Sequence, residues 1–178
     1  MAEPEGASSS EAFQFLKKIN IVPFSEVRTA QSNLSKGIEL DIHLLASIAK
    51  KIERICVEKR LSALHAIFCG LEIPLFVLFN DQGFYRYFLN GSYTGKLELK
   101  KFIESSFYNS NGDYENVHFL SKRYDDIVFS ADEIFIGSCV HFEKINENLH
   151  GPVAVLVQHM VDIQQGKFLF VDSVEVEQ

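Results

Sequence analysis

"CVHFEKINENLHGPVAVLVQH", residues 139–159, sets one cysteine and three histidines, nine apart, along a run of apolar side chains. The conformation of this stretch decides the fold. Read as two strands joined near His150-Gly151-Pro152, the first continues the even-numbered apolar set Ile134, Ile136, Val140 and Phe142. The second puts Val153, Val155, Val157, Val161 and Ile163 on one face with His159. A slip of one residue would exchange the two faces of a strand, so the register that unites the richest apolar sets pairs Phe142 with Val155 and Val140 with Val157. His141 then stands opposite Leu156, and His159 opposite Ser138, on different faces. Ligands of one zinc ion must converge at about 2.0–2.3 Å, so these two histidines are not expected to share a metal, and no metal site is assigned. Cys139 and His141 share a face but sit ~6.5 Å apart along the strand without an evident acidic orienter, so no catalytic residue is assigned either. His150 is expected in a solvated loop, and His159 as a core histidine bonded to a neighbour such as Ser138.

The same register leaves the second face of these strands largely apolar. Phe135, Cys139, His141, Leu156, Gln158 and Met160 lie there, and a contiguous apolar face of this kind marks an interface with a partner chain.

Outward from this stretch, the period of the apolar residues changes along the chain. From about Glu39 to Lys59, Ile42, Leu45, Ala49, Ile52 and Cys56 recur three or four apart, which predicts a strong amphipathic helix. Its polar face carries Lys50, Lys51, Arg54, Lys59 and Arg60, a possible anion patch or simply a solvated face. "LSALHAIFCG" reads as a short helix stopped by Gly70, with a strand as the alternative. "IPLFVLF" and "FYRYFL" flank "NDQG", whose residues suit a tight turn, so 73–79 and 84–89 should pair as a hairpin. Leu99, Phe102, Ile103 and Phe107 predict another helix over 96–108. Strands are expected over about 114–129, 133–145, 152–163 and 167–176.

The 178 residues suit one domain of ordinary size. Residues 1–10, "MAEPEGASSS", read as a disordered tail, 11–37 as an N-terminal helical extension with a second weak helix capped at Ser25, and 38–178 as the domain. No apolar run is long enough for a membrane span and no signal-like segment follows Met1, so a cytoplasmic or nuclear protein is expected. Cys56, Cys69 and Cys139 read as reduced thiols. The net charge of −7 is unevenly spread: residues 41–101 hold nine basic and six acidic side chains, residues 113–178 four and twelve. Direct nucleic-acid binding is not expected of so acidic a chain.

The order of helices, hairpin, the helix near "TGKLELKKFIESS" and four terminal strands resembles the nuclear transport factor 2-like superfamily over residues 39–178. "GSCVHFEK" followed by "VAVLVQHMVDIQQGKFLFVDSVEV" is similar to the last three strands of its transport factor and messenger-RNA export branch. That branch commonly closes on an Asn-Asp pair and an aliphatic-aromatic-Arg triplet. Of Val171, Asp172, Ser173, Val174 and Glu175 only the Asp agrees. The resemblance implies an α+β cone, with a bent antiparallel sheet wrapped around its helices. It also implies a non-catalytic adaptor that needs no cofactor, forms homodimers or heterodimers through the sheet and docks a peptide or domain of a larger complex, in RNA or nucleocytoplasmic traffic. The alternative is a cone-shaped pocket that binds or converts a small apolar ligand. An isomerase- or dehydratase-like version would draw on Asp125, Asp126, Asp132 or Glu133.

Overall fold

The computed structural model describes residues 3–35, 37–108, 111, 113–169 and 173–176. Helix α1 spans Glu3–Lys18, beginning inside the stretch expected as a tail, and α2 spans Phe24–Ser32. Pro23, not Ser25, stands at the N-cap of α2. Helix α3, Ile42–Lys59, follows the apolar period. Asp41 caps its start by accepting a hydrogen bond from the His43 N–H at 2.8 Å, and Leu45, Ile48, Ala49, Ile52 and Cys56 are buried. "ALH" forms strand β1, Ala63–His65, and the chain then makes a 3-10 turn over Ala66–Cys69 that ends at Gly70 with φ of 72°.

Strand β2, Leu75–Phe79, and β3, Tyr85–Tyr108, form the expected hairpin, with Phe79 paired to Tyr85. Asn80 holds its turn: the side-chain oxygen accepts from the N–H groups of Gln82 and Phe84. β3 continues straight through the segment expected as a helix and pairs with β4, Tyr114–Ile136, as far as Tyr108. The apolar residues of 97–103 are not gathered by a helical face. Leu97, Leu99 and Ile103 are exposed on the ribbon, so their helical spacing carried no burial. β5, Val140–His150, pairs with β4, and the short β6, Val174–Val176, pairs with β4 at His118–Leu120. The described sheet runs β1-β2-β3-β4-β5, antiparallel throughout, with β6 off this path.

The decisive correction concerns residues 152–163. They form helix α4, Pro152–Gln164, not a strand. Gly151 adopts φ of 70° and Pro152 occupies the first turn, where its missing N–H costs nothing. The cross-strand register of Phe142 with Val155 and of Val140 with Val157 therefore does not exist. β5 instead pairs Phe142 with Ile134 and Val140 with Ile136.

α4 is apolar on nearly every side because it is buried: Ala154, Val157, Met160, Val161 and Ile163 are all in the core. Gln158, wholly buried, fixes it to the sheet. Its Oε1 accepts from the Tyr124 N–H at 2.8 Å, and its Nε2 donates to the Tyr124 carbonyl at 2.7 Å. A side-chain amide here stands in for a neighbouring strand. Gly95 makes room for the Tyr124 ring, since a Cβ at that position would lie 2.1 Å from it. Phe76, Phe88 and Phe129 pack with centroids 5.1–6.0 Å apart beneath the sheet. Among the described residues no helix is long and apolar enough to cross a membrane.

Candidate ligand cleft and its charged floor

A cavity of about 750 Å³ opens between β1, the second half of β3 and α4. Leu61–Leu64 form one wall and Phe102–Phe107 the other; Pro152, Val155, Leu156, His159 and Met160 of α4 close the bottom. Ala63 and Leu64 of the first wall belong to β1, and the whole of the second belongs to β3. β1 pairs only with β2, and β3 beyond Lys96 pairs only with β4, so the edges that face the cleft have no strand partner among the described residues.

Beneath the apolar lining lies a charged cluster drawn from three elements. The Arg123 guanidinium on β4 donates to Glu104 on β3 at 2.7 Å and to Asp162 on α4 at 2.6 Å, with side-chain exposures of 7%, 8% and 14% respectively. The Tyr93 hydroxyl donates to the other Asp162 oxygen at 2.8 Å. Burial works against the charge on Arg123, but Glu104 and Asp162 more than offset it, so the guanidinium pKa is raised. Burial and then the bond to Asp162 likewise raise that of Tyr93.

His159 projects from α4 into the same group, with Nδ1 3.4 Å from the Arg123 Nη2. Desolvation pushes its pKa down to about 4, against the upward pull of Glu104 and Asp162. The ring is therefore neutral at pH 7. A guanidinium only donates, so Nδ1 accepts and Nε2 carries the proton. His65 is a second buried, neutral histidine, also lowered to about 4 by burial. Its Nδ1 accepts from the Ile67 N–H at 3.1 Å and its Nε2 meets the Gln164 Oε1 at 3.0 Å, tying β1 to the end of α4.

The residues singled out from sequence are dispersed. Phe135 and His141 pair across β4 and β5 and stack at 5.3 Å, whereas Gln158 and Met160 are buried on α4 and Leu156 lines the cleft. The six form no common sheet face. His159 contacts Arg123, not Ser138. Of the basic residues, Lys59 and Arg60 stand exposed at the cleft, while Lys50 is paired with Glu53 at 3.1 Å. None of Asp125, Asp126, Asp132 and Glu133 reaches the cleft; Asp125 pairs with Lys100 and Glu133 with Arg86. Glu104, Arg123, Asp162 and Tyr93 escaped notice because neither spacing nor clustering in sequence joins them.

The thiol argument also needs correcting. Cys139 Sγ approaches His141 Nδ1 at 3.8 Å, and His141 Nε2 meets Glu143 at 3.3 Å, so an acidic neighbour exists. All three are exposed on the β4–β5 hairpin. Cys56 and Cys69 are buried, and burial pushes both thiols up to about 12. In native protein an excess of an aromatic disulfide reagent should titrate one thiol per chain quickly and the other two only after unfolding. Two or three thiols reacting together in the native state would contradict this burial.

No protein-family model and no curated protein matches this sequence. Solved structures do. A peptide deformylase of Plasmodium falciparum, in complex with an inhibitor, superposes with a TM-score of 0.66 at 18% identity, covering 84% of this chain and 86% of that one. Peptide deformylase 1B of Arabidopsis thaliana gives 0.66 at 16%, over 85% and 79%. A probable peptide deformylase of Synechococcus phage S-SSM7 gives 0.62 at 16%, over 85% and 97%. The fold is that of the peptide deformylases. This overturns the resemblance to the nuclear transport factor 2-like cone, and with it the adaptor, non-enzyme and messenger-RNA export expectations that rested on that cone. The proteins that share this fold carry the name of an enzyme.

Removing a formyl group from a peptide by hydrolysis requires an activated water, supplied by a metal ion or a general base. A helix that holds a hydrolytic metal reads H-E-x-x-H, the two histidines binding and the Glu serving as base. Here α4 reads His159-Met160-Val161-Asp162-Ile163, with thioether and hydrocarbon where carboxylate and imidazole would stand. Among the described residues no group of three or more His, Cys, Asp or Glu side chains is placed to hold a metal ion. His159 is also turned by its Nδ1 toward a guanidinium. The residues present do not fit a metal centre.

Proposed function

We propose that the cleft takes a short peptide in an extended conformation, added as a strand between β1 and the second half of β3, with an apolar side chain seated on Val155, Leu156 and Met160. The observation that carries this is the pair of strand edges facing one apolar cavity. Main-chain hydrogen bonds to such edges give affinity, and the pocket beneath selects alternate side chains. The name of the enzymes that share the fold, which act on peptides, supports the same ligand class. His159 offers its Nε2–H as a donor, and Glu104 and His159 are the acid–base groups of the floor available for converting the ligand. The test is a fluorescence titration with a Met-Ala-Ser peptide labelled at its C-terminus, beside versions methylated at single backbone amides. Saturable binding that weakens by about two- to tenfold on methylation at an edge-facing amide is expected, the size of one lost hydrogen bond. Affinity indifferent to methylation at every position would dismiss strand addition.

A further inference from the structure

We propose that the head group received at Glu104 is a cation, the α-ammonium of a peptide with an unblocked N-terminus; this rests on the peptide-cleft reading and deepens it. The cluster under the cleft contains two carboxylates, Glu104 and Asp162, and one guanidinium, Arg123. His159 adds no charge at neutral pH, and the Tyr93 hydroxyl supplies only a hydrogen bond. One negative charge is therefore left over among side chains that are at most 14% exposed. A buried charge without a counter-charge is costly, and a ligand that brings the counter-charge recovers that cost.

Of the two carboxylates, Glu104 is the one that lines the cleft. Its bonds to Arg123 are unequal, 2.7 Å at Oε2 and 3.4 Å at Oε1, and a carboxylate accepts up to about four hydrogen bonds, so Glu104 keeps capacity for a donor from the ligand. Asp162 turns instead to a second cavity of about 510 Å³ behind the cluster, shared with Lys101, Lys122 and Lys167. Those lysines line that second cavity and not the cleft. Lys59 and Arg60 stand at the cleft itself but are exposed, where water and salt screen them. A formamide or acetamide head group is neutral and leaves the excess charge unbalanced, so blocking the N-terminus should weaken binding.

The experiment is calorimetric titration of the full chain with Met-Ala-Ser amide bearing a free, an N-formyl or an N-acetyl terminus, repeated with Glu104→Gln. We expect the free amine to bind at least tenfold more tightly than either blocked peptide, and Glu104→Gln to bring the three within about twofold. If the formylated peptide binds as tightly as the free amine, or more tightly, the inference is overturned while the peptide cleft stands. Binding of none of the three overturns the cleft reading itself. Circular dichroism checks the variant, and should Glu104→Gln unfold, the comparison of the three peptides on the unaltered chain decides alone.

Discussion

Replacing Arg123 with leucine is expected to lower the unfolding free energy by about 3–5 kcal/mol, the usual cost of removing one partner from a buried ion cluster. Arg123 is 6% exposed and is the only side chain that bonds both Glu104 and Asp162 among the described contacts. Without it, two carboxylates from β3 and α4 remain under the cleft without the guanidinium that bonds both. Because the cluster joins α4 to the sheet, the loss should reach the whole fold. For a chain of this size each kcal/mol moves the thermal midpoint by about 2–4 °C, so a drop of about 6–20 °C is expected. Lysine should rescue only part of it, since an ammonium cannot span both carboxylates as the planar guanidinium does. Replacing all three charged residues by leucine should recover much of the loss, because apolar side chains carry no desolvation cost. A midpoint for Arg123→Leu within 2 °C of the unaltered chain would mean that the cluster is solvated and contributes little.

The parts of the fold that could be read from the sequence are those where a local pattern has one solution. α3 was legible because its apolar residues hold a helical period over five turns, and the β2–β3 hairpin because Asn80 and Gly83 specify a turn between two alternating runs. Gly70 marked an end correctly whichever element preceded it. α4 was misread because a buried helix has no polar face to reveal its period, and "VAVLV" alternates well enough for a strand. The one local sign against a strand was Gly151-Pro152, which suits a helix start. β3 failed in the opposite sense: Leu99, Phe102 and Ile103 satisfy a helical spacing, but Leu99 and Ile103 face water on a long two-stranded ribbon. Burial could not choose between the two periods there.

The misreading of α4 propagated into the site. Once 152–163 was a strand, His159 was separated from Asp162, which it neighbours across one helical turn, and the cleft that α4 floors had no floor. Arg123 and Glu104 meet because β3 and β4 form a ribbon in which the Lys100–Arg123 and Phe102–Ser121 pairs share a face with Glu104. Nothing within either strand announces that contact. At 14–18% identity the structures that share the fold are likewise out of reach of sequence pattern alone.

Stability should fall steeply as the pH is lowered from 6.5 toward 4, and His65 should account for about half of that fall. Burial holds the pKa of both His65 and His159 at about 4 in the folded chain, against 6.5 when exposed. Between those values the unfolded chain binds more protons than the folded one, so stability rises with pH across the window, is complete above 6.5 and is lost below about 4. A shift of this size corresponds to about 3 kcal/mol for each histidine. For His65 the burden falls on the turn that follows β1: protonating Nδ1 removes the acceptor of the Ile67 N–H inside a fully buried site. Asparagine is the informative replacement, because its side-chain oxygen accepts near the same place but does not titrate. Thermal midpoints of the unaltered chain and of His65→Asn, measured from pH 4 to 7.5, isolate this contribution. The His65→Asn curve should be shallower by about half between pH 4 and 6.5 and parallel to the unaltered chain above it. Identical slopes would show that His65 gains its proton without disturbing the turn after β1, and a flat profile in the unaltered chain would show that neither ring is held neutral by burial.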